Sequence, residues 1–225
     1  MVAGTELRFR VGETSGEVSA LLMRPPEAWA VYILAHGAGA GMRHSFLAAI
    51  AQRLAEQGIA TLRYQFPYME ARRSRPDAPA VASAAVRAAV QEAARLAPGL
   101  PLFAGGKSFG GRMTSTAHAT NPLPGVRGLA FLGFPLHPPG RPGSERAEHL
   151  AQVQIPMLFL QGTRDDFADL ALLRPVVQRL GTRATLHLVE GGDHSFKTLK
   201  RSGRAEADVL GELAQIIVEW AEKIV

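Results

Sequence analysis

Short apolar runs alternate with amphipathic segments along most of the 225-residue chain. Near the N-terminus, ELRFRVG has an apolar residue at every second position, which is typical of a half-exposed strand, and EVSALLM is its expected hairpin partner. Later runs such as WAVYILAHG are apolar throughout, which predicts strands covered on both faces. Between the runs lie segments such as HSFLAAIAQRLAEQG, in which Phe46, Ile50 and Leu54 share one helical stripe.

This alternation predicts an α/β fold. We expect about eight strands, most of them joined by crossover helices, so that the sheet is mostly parallel with helices on both faces. The Pro- and Gly-rich segment 137–143 is too short to separate domains or to form a large lid. Residues 1–225 are therefore expected to form a single domain. Pro175 interrupts the helix expected over 170–180 and should kink it or delay its start.

Composition and charge exclude several classes of protein. The chain has no cysteine, so it has no disulfide framework, no catalytic thiolate and no zinc–sulfur site. Its first residues lack the apolar core of a signal peptide, and no run approaches the roughly 20 apolar residues that cross a bilayer. We therefore expect a cytoplasmic protein without a membrane partner. The net charge is +5, but the arginines are dispersed without interleaved aromatic residues, so a nucleic-acid partner is not expected.

The segment GGKSFGG, residues 105–111, carries the main candidate for chemistry. A phosphate-binding loop would need a glycine where Pro101 stands, inside a predicted strand, so that interpretation fails. The segment does match G-x-S-x-G, with Ser108 between Gly106 and Gly110 and between a predicted strand and a predicted helix. That context is the one in which a strained turn presents a nucleophilic serine. The competing interpretation is a glycine-flanked serine that merely begins a helix.

A serine needs a base, and the base needs a carboxylate that orients it. Asp165 and Asp166 directly follow the predicted strand IPMLFLQG, and His194 follows the next one, ATLHLVEGG. The carboxyl ends of parallel strands meet at one edge of a sheet, so these residues should lie near Ser108. Asp193 is expected to cap its own loop instead.

The segment HGAGAG, residues 36–41, follows the third predicted strand and supplies a fourth element. A tetrahedral intermediate needs two N–H donors directed at its oxyanion. We expect one from the backbone of Phe109, next to the serine, and the other from Ala38 in this small-residue loop. A flexible turn would explain the glycines of the segment but not their coincidence with the other three elements.

Together these four elements resemble the α/β-hydrolase superfamily over essentially the whole chain, and the lidless layout resembles its dienelactone-hydrolase-like branch. RYQFPY, FPLHPPGRPG and LQGTRD are similar to segments of a smaller group of predicted hydrolases, which includes a scaffold-type subunit of a histone-acetyltransferase complex. The resemblance implies Ser108 as nucleophile, His194 as base, Asp165 as acid, and Ala38 and Phe109 as oxyanion donors. Dienelactone hydrolases use a cysteine nucleophile, so their substrate does not follow.

The sequence thus predicts a serine hydrolase that cleaves small esters or related acyl compounds through an acyl-enzyme, without cofactor or metal. The alternatives are an acyltransferase with the same residues and a non-catalytic protein-interaction scaffold on this fold. Tyr68 and Met69 are expected either to wall an acyl pocket or to fill local core. Arg43 and the arginines at 72, 73 and 75 are expected to be solvated, the alternative being that they attract an anionic substrate. The sequence indicates no oligomeric state.

Overall fold

The computed structural model describes residues 2–225. Eight strands are present: β1 (Gly4–Gly12), β2 (Gly16–Met23), β3 (Ala30–Ala35), β4 (Ile59–Tyr64), β5 (Leu102–Lys107), β6 (Val126–Leu132), β7 (Met157–Gly162) and β8 (Ala184–Val189). The helices are α1 (Ser45–Ala55), α2 (Pro67–Glu70), α3 (Pro79–Leu96), α4 (Phe109–Thr120), α5 (Leu170–Leu180) and α6 (Glu206–Glu222). Three short 3-10 helices span Glu145–Gln152, Gly181–Arg183 and Lys200–Ser202.

The strands form one open sheet in the order β1-β2-β4-β3-β5-β6-β7-β8. β1 pairs antiparallel with β2, and β2 pairs antiparallel with β4. The remaining pairs, from β4 through β3 and β5 to β8, are parallel. The prediction of a mostly parallel sheet of about eight strands is confirmed. All the parallel strands end at the same edge, where ligands bind in open sheets of this kind.

Helices cover both faces of the sheet because its central strands are apolar on both sides. Tyr32 and Phe103 point into a core shared with α1 and α6. Ile33 and Phe131 belong to the opposite core, which α3, α4 and α5 cover. This burial is the main stabilising contribution, since apolar surface removed from water contributes about 25 cal/mol per Å².

Two local predictions differ from the structure. The buried stripe of α1 begins at Leu47 and continues through Ile50 and Leu54, whereas Phe46 is only partly buried and lies at the edge of the core. α5 does not start late at Pro175, because the Asp169 carboxylate accepts a hydrogen bond from the Ala171 N–H and caps the helix there. The cap stabilises the first turn, by about 1 kcal/mol in comparable helices.

The site edge of the sheet is open. Residues 133–156 connect β6 to β7 and contain the 3-10 helix Glu145–Gln152, whose Leu150 is fully buried in the core beside α4. Within residues 2–225 no segment forms a large lid, as predicted. None of the described helices combines the length and the apolar character needed to cross a membrane.

Candidate active site

Ser108 stands on a strained turn between β5 and α4. Its φ of +49° and ψ of −116° lie outside the usual regions for a residue with a side chain. Non-glycine residues in such conformations cost free energy and persist only where the surrounding structure enforces them. The predicted strand–turn–helix setting of the serine is therefore present.

The glycines around Ser108 are required by close approach to the neighbouring strand β3. A Cβ on Gly106 would lie 2.2 Å from the carbonyl oxygen of Ala35. A Cβ on Gly110 would lie 2.6 Å from the carbonyl oxygens of Ala35 and His36. Both distances are far inside van der Waals contact, so the turn can pack against β3 only when these two positions have no side chain.

The structure brings Ser108, His194 and Asp165 together in one hydrogen-bonded chain. His194 Nε2 lies 2.8 Å from Ser108 Oγ. His194 Nδ1 lies 2.9 Å from Oδ1 and 2.8 Å from Oδ2 of Asp165. An ionised carboxylate only accepts hydrogen bonds, so Nδ1 carries the proton and Nε2 is left to accept from the Ser108 hydroxyl.

Asp165 is anchored by further donors. Its carboxylate is buried and accepts hydrogen bonds from the side-chain amide of Gln161, at 2.5 Å, and from the backbone N–H of Phe167, at 2.8 Å. The Phe167 ring stacks on the imidazole of His194, with centroids 4.2 Å apart. The acid and the ring orientation of the histidine are therefore fixed by separate contacts.

The neighbouring aspartates have other positions. Asp166 is exposed at the surface. Asp193 accepts hydrogen bonds from the backbone N–H groups of Ser195 and Lys197, so the prediction that it caps its own loop is confirmed. Of these three carboxylates, Asp165 is the one that contacts His194.

Ala38 and Ser108 face the same pocket, and Phe109 follows the serine at the first position of α4. The first N–H groups of a helix have no intrahelical acceptor, so the Phe109 N–H is available beside Ser108. A Cβ on Gly37 would lie 3.8 Å from the Ser108 Cβ, so the loop that begins at His36 lies against the serine turn.

Three side chains hold this loop, a role that was not predicted from the sequence. His36 Nε2 accepts from the Phe66 N–H at 3.1 Å, while Gln65 Oε1 accepts from the Met42 N–H at 3.0 Å. Tyr68 Oη accepts from the Gly39 N–H at 3.0 Å. Burial lowers the pKa of His36 to about 4, so its ring is neutral and can accept.

Tyr68 fills core rather than walling the pocket. Its side chain is fully buried, and its ring lies 6.4 Å from that of Phe109 and 6.5 Å from that of Phe66. Of the two roles predicted for Tyr68, the structure supports the one in the local core, with the added hydrogen bond to the loop. The signal that could have found it is its place in α2, four residues after the end of β4, at the site edge of the sheet.

The pocket at Ser108 has a volume of about 260 Å³. Its apolar walls come from Ala38, Ala40, Phe46, Leu47 and Phe167. Arg43 does not line this pocket and pairs with Glu6 at 2.7 Å on the surface. The arginines at 73 and 75 border a separate surface groove. Among the described residues that line the pocket, Lys107 is the only lysine or arginine, and none is an aspartate or glutamate.

Other histidines are engaged elsewhere. The His137 ring accepts from the Asp169 N–H, and that of His187 pairs with Glu212 at 2.6 Å. Within residues 2–225, no group of three or more histidine and carboxylate side chains is arranged to hold a metal ion.

The same fold occurs in solved structures of hydrolases. A dienelactone hydrolase from Anabaena variabilis superposes with a TM-score of 0.78 at 21% identity, over 100% of this chain and 99% of that one. A lidless serine hydrolase from Xanthomonas campestris gives 0.74 at 21% identity, over 97% and 95% of the two chains. An esterase domain from Rhodothermus marinus gives 0.72 at 14% identity, over 98% of each chain.

The family assignment rests on a separate comparison of the sequence. Residues 28–222 match the model of a family described as an alpha/beta hydrolase domain. The match runs from two residues before β3 to the last residue of α6, and so includes every residue of the site described above. Taken with the open parallel sheet and the serine turn at its edge, this match shows that the chain belongs to the alpha/beta hydrolase domain family.

Proposed function

We propose that this protein is a serine hydrolase that cleaves small, uncharged esters or related acyl compounds. The observation that carries the proposal is the chain of hydrogen bonds from Ser108 through His194 to the buried Asp165, at the mouth of an apolar pocket. A serine is a weak nucleophile by itself, and this arrangement supplies both its base and the group that orients the base.

In the first half-reaction, Ser108 Oγ attacks the substrate carbonyl carbon and its proton passes to His194 Nε2. The carbonyl oxygen becomes an oxyanion, which the N–H groups of Ala38 and Phe109 stabilise. Preorganised donors of this kind lower the barrier because charge develops where they already point. The imidazolium then gives its proton to the leaving alcohol, and the acyl group remains on Ser108.

In the second half-reaction, water replaces the alcohol. His194 takes a proton from the water as its oxygen attacks the acyl carbon, and the second oxyanion forms at the same donors. Collapse of that intermediate returns the proton to Ser108 Oγ and releases the acid. Asp165 keeps the imidazole in one tautomer throughout and stabilises the imidazolium that forms twice.

The walls of the pocket support a substrate with a short apolar group. A volume of about 260 Å³ is slightly below the 300–1,000 Å³ typical of ligand sites, so a short acyl or small aromatic group fits better than a long chain. An anionic substrate is not favoured, because the one ammonium or guanidinium group among the described lining residues, that of Lys107, donates to the His194 backbone carbonyl oxygen.

The proposal is tested by labelling with a fluorophosphonate probe, followed by a screen of p-nitrophenyl esters of increasing acyl length. We expect stoichiometric labelling of Ser108 and fastest hydrolysis of the short esters. Labelling that is absent from the folded protein supports the scaffold alternative. A product that appears as an acyl ester of added alcohol, with little free acid, supports the acyltransferase alternative.

A further inference from the structure

Lys107 precedes Ser108 in the chain, and its side chain reaches the loop that carries His194. The ammonium Nζ donates to the backbone carbonyl oxygen of His194 at 2.5 Å. The last residue of β5 is thereby joined to a segment 87 positions away in sequence. The mechanism proposed above makes no use of this contact.

A space is kept open for this ammonium. Gly133, just after β6, has a φ of +68°, and a Cβ there would lie 2.9 Å from Lys107 Nζ. The same point lies 3.4 Å from the His194 carbonyl oxygen and 3.5 Å from Asp165 Oδ2. The ammonium, the histidine backbone and the carboxylate therefore converge on one spot that a side chain at position 133 would occupy.

The same loop contacts Lys107 a second time. The ammonium lies 5.5 Å from the centroid of the Phe196 ring, within the range of a cation–π interaction. Phe196 is buried with a positive φ of 63°, and its ring stacks on that of Phe46. Phe46 in turn forms part of the pocket wall. Lys107 thus contacts the residues on both sides of Ser195, by a hydrogen bond to His194 and a cation–π interaction with Phe196.

Two effects act in opposite directions on the pKa of the Lys107 ammonium. Burial is the largest effect and lowers the pKa of Lys107 to about 8, while Asp165 and Asp193 favour its charged form. Asp165 lies on the loop after β7, and Asp193 and His194 lie on the loop after β8. The side chain is therefore charged at neutral pH and loses its charge as the pH rises through about 8.

We propose that Lys107 is a positioning residue, whose charged hydrogen bond holds the His194 loop against the nucleophile strand and thereby sets an alkaline limit to activity. The inference rests on the proposed serine-hydrolase function. An ammonium donor forms a stronger hydrogen bond to a carbonyl than a neutral amine does. Its loss lets the loop shift, and a displacement of about 1 Å at a catalytic group can lower the rate 100-fold.

The test measures kcat/KM for a short p-nitrophenyl ester between pH 6 and 10 in the wild type and in Lys107→Met, Lys107→Arg and Lys197→Met. Methionine keeps the length of the stem without its charge, and arginine keeps the charge at every pH used. Lys197→Met is the matched control, since it removes an exposed charge from the same loop.

For the wild type we expect activity to fall above about pH 8. Lys107→Met should lower kcat/KM roughly 10- to 100-fold at pH 7 and abolish that alkaline fall. Lys107→Arg should move the fall to higher pH, and it decides the matter if the methionine variant does not fold. Lys197→Met should match the wild type.

Two results overturn the inference. One is a folded Lys107→Met with wild-type kcat/KM, and the other is a lowered rate with an unchanged alkaline limb, which indicates packing alone. Measuring Ser108→Ala in the same assay distinguishes a failure of the inference about Lys107 from a failure of the proposed serine-hydrolase function. If Ser108→Ala hydrolyses the ester at the wild-type rate, both proposals fail; if it is inactive, the inference about Lys107 stands or falls by itself.

Discussion

Two serine–histidine pairs of equal length lie in this molecule. In the candidate site, Ser108 Oγ is 2.8 Å from His194 Nε2. Between α4 and the 3-10 helix Glu145–Gln152, Ser115 Oγ is also 2.8 Å from His149 Nε2. The distances are the same, but the neighbouring groups favour opposite directions for the two hydrogen bonds.

The direction follows from the third group in each pair. Ser115 Oγ lies 2.9 Å from the backbone carbonyl oxygen of Arg112, which can only accept, and with the hydroxyl proton directed there His149 Nε2 donates to Ser115. In the other pair, Asp165 accepts from Nδ1 of His194, and the serine donates to the ring. A carboxylate on the far side of the ring is what turns a histidine into a base for its serine.

The electrostatic surroundings of His149 and His194 also differ, and of the two rings that of His194 is the one hydrogen-bonded to a carboxylate. Burial, aided by the nearby Arg112 guanidinium, lowers the pKa of His149 to about 4. An imidazolium at this position is therefore disfavoured, whereas the proposed mechanism requires one at His194, beside the Asp165 carboxylate. Ser115 is also buried, and the pocket lies at Ser108. A short serine–histidine distance is thus insufficient evidence for catalysis.

The largest expected effect separates the two serines. Ser108→Ala should lower kcat by up to about 10⁶-fold and abolish probe labelling, because the nucleophile is lost. Ser115→Ala should leave kcat nearly unchanged and cost about 1–3 kcal/mol of stability, since it removes both hydrogen bonds of Ser115 and leaves His149 Nε2 without its partner. Ester hydrolysis and thermal unfolding of both variants check this. A folded but inactive Ser115→Ala would contradict the comparison.

The second prediction removes the carboxylate that sets the proton direction. Asp165→Asn should lower kcat by up to about 10⁴-fold, because an amide permits the wrong tautomer of His194. Asp166→Asn is the matched control, and its exposed side chain should leave kcat nearly unchanged. Steady-state kinetics beside melting temperatures distinguish loss of chemistry from loss of fold. If Asp166→Asn rather than Asp165→Asn lowers kcat by orders of magnitude, the acid is misassigned by one residue.

A smaller loss of activity is expected when the loop of residues 36–41, which carries the proposed oxyanion donor Ala38, is loosened. The Ser115–His149 pair has no such loop beside it. Tyr68→Phe removes the acceptor of the Gly39 N–H and should lower kcat by roughly 10-fold, less than the 10²–10³-fold loss of an oxyanion donor itself. KM should change little. Tyr64→Phe is a control in the same aromatic cluster, because the buried Tyr64 hydroxyl has no hydrogen-bond partner among the described residues. Equal losses in both variants would assign the effect to packing.

The smallest effect concerns stability at low pH. The pKa of His149 is about 4 in the folded protein and about 6.5 in an unfolded chain, so between these values the unfolded state binds more protons. The stability associated with the neutral ring is complete above about pH 6.5 and is lost as the pH falls toward 4. His149→Gln should reduce this loss in urea unfolding without changing kcat. A pH dependence identical to that of the wild type would refute the assignment.

Much of the fold could be predicted because burial on both faces makes the central parallel strands almost entirely apolar. The runs at β3, β5 and β7 have no polar face, which is the pattern that helices on both sides of a sheet require. Of the two outcomes predicted for Pro175, a kink or a late start, the late start does not occur, because the Asp169 cap fixes the start of α5 six positions before the proline. The hydrogen bond from the Ala171 N–H to the Asp169 side chain therefore determines where the helix begins, rather than the conformational preference of Pro175.

In the candidate site, the grouping of Ser108, Asp165 and His194 could be predicted from chain order alone. Each residue follows a parallel strand, and parallel strands end at one edge. The selection of Asp165 over Asp166 came from family resemblance, and the structure brings Asp165 to the histidine. The catalytic roles of these residues remain predictions that the substitutions above examine.

The sequence by itself determined the sheet, the serine turn and the edge at which polar residues meet, because these depend on periodicity, glycine positions and strand order. Only the tertiary structure decided how the loops are held. Tyr68 reaches Gly39 across 29 residues, and Lys107 reaches His194 across 87. Such contacts leave no local pattern, since each joins segments brought together by the sheet. The direction of the proton in each serine–histidine pair was decided in the same way, by whichever acceptor the fold placed next to it.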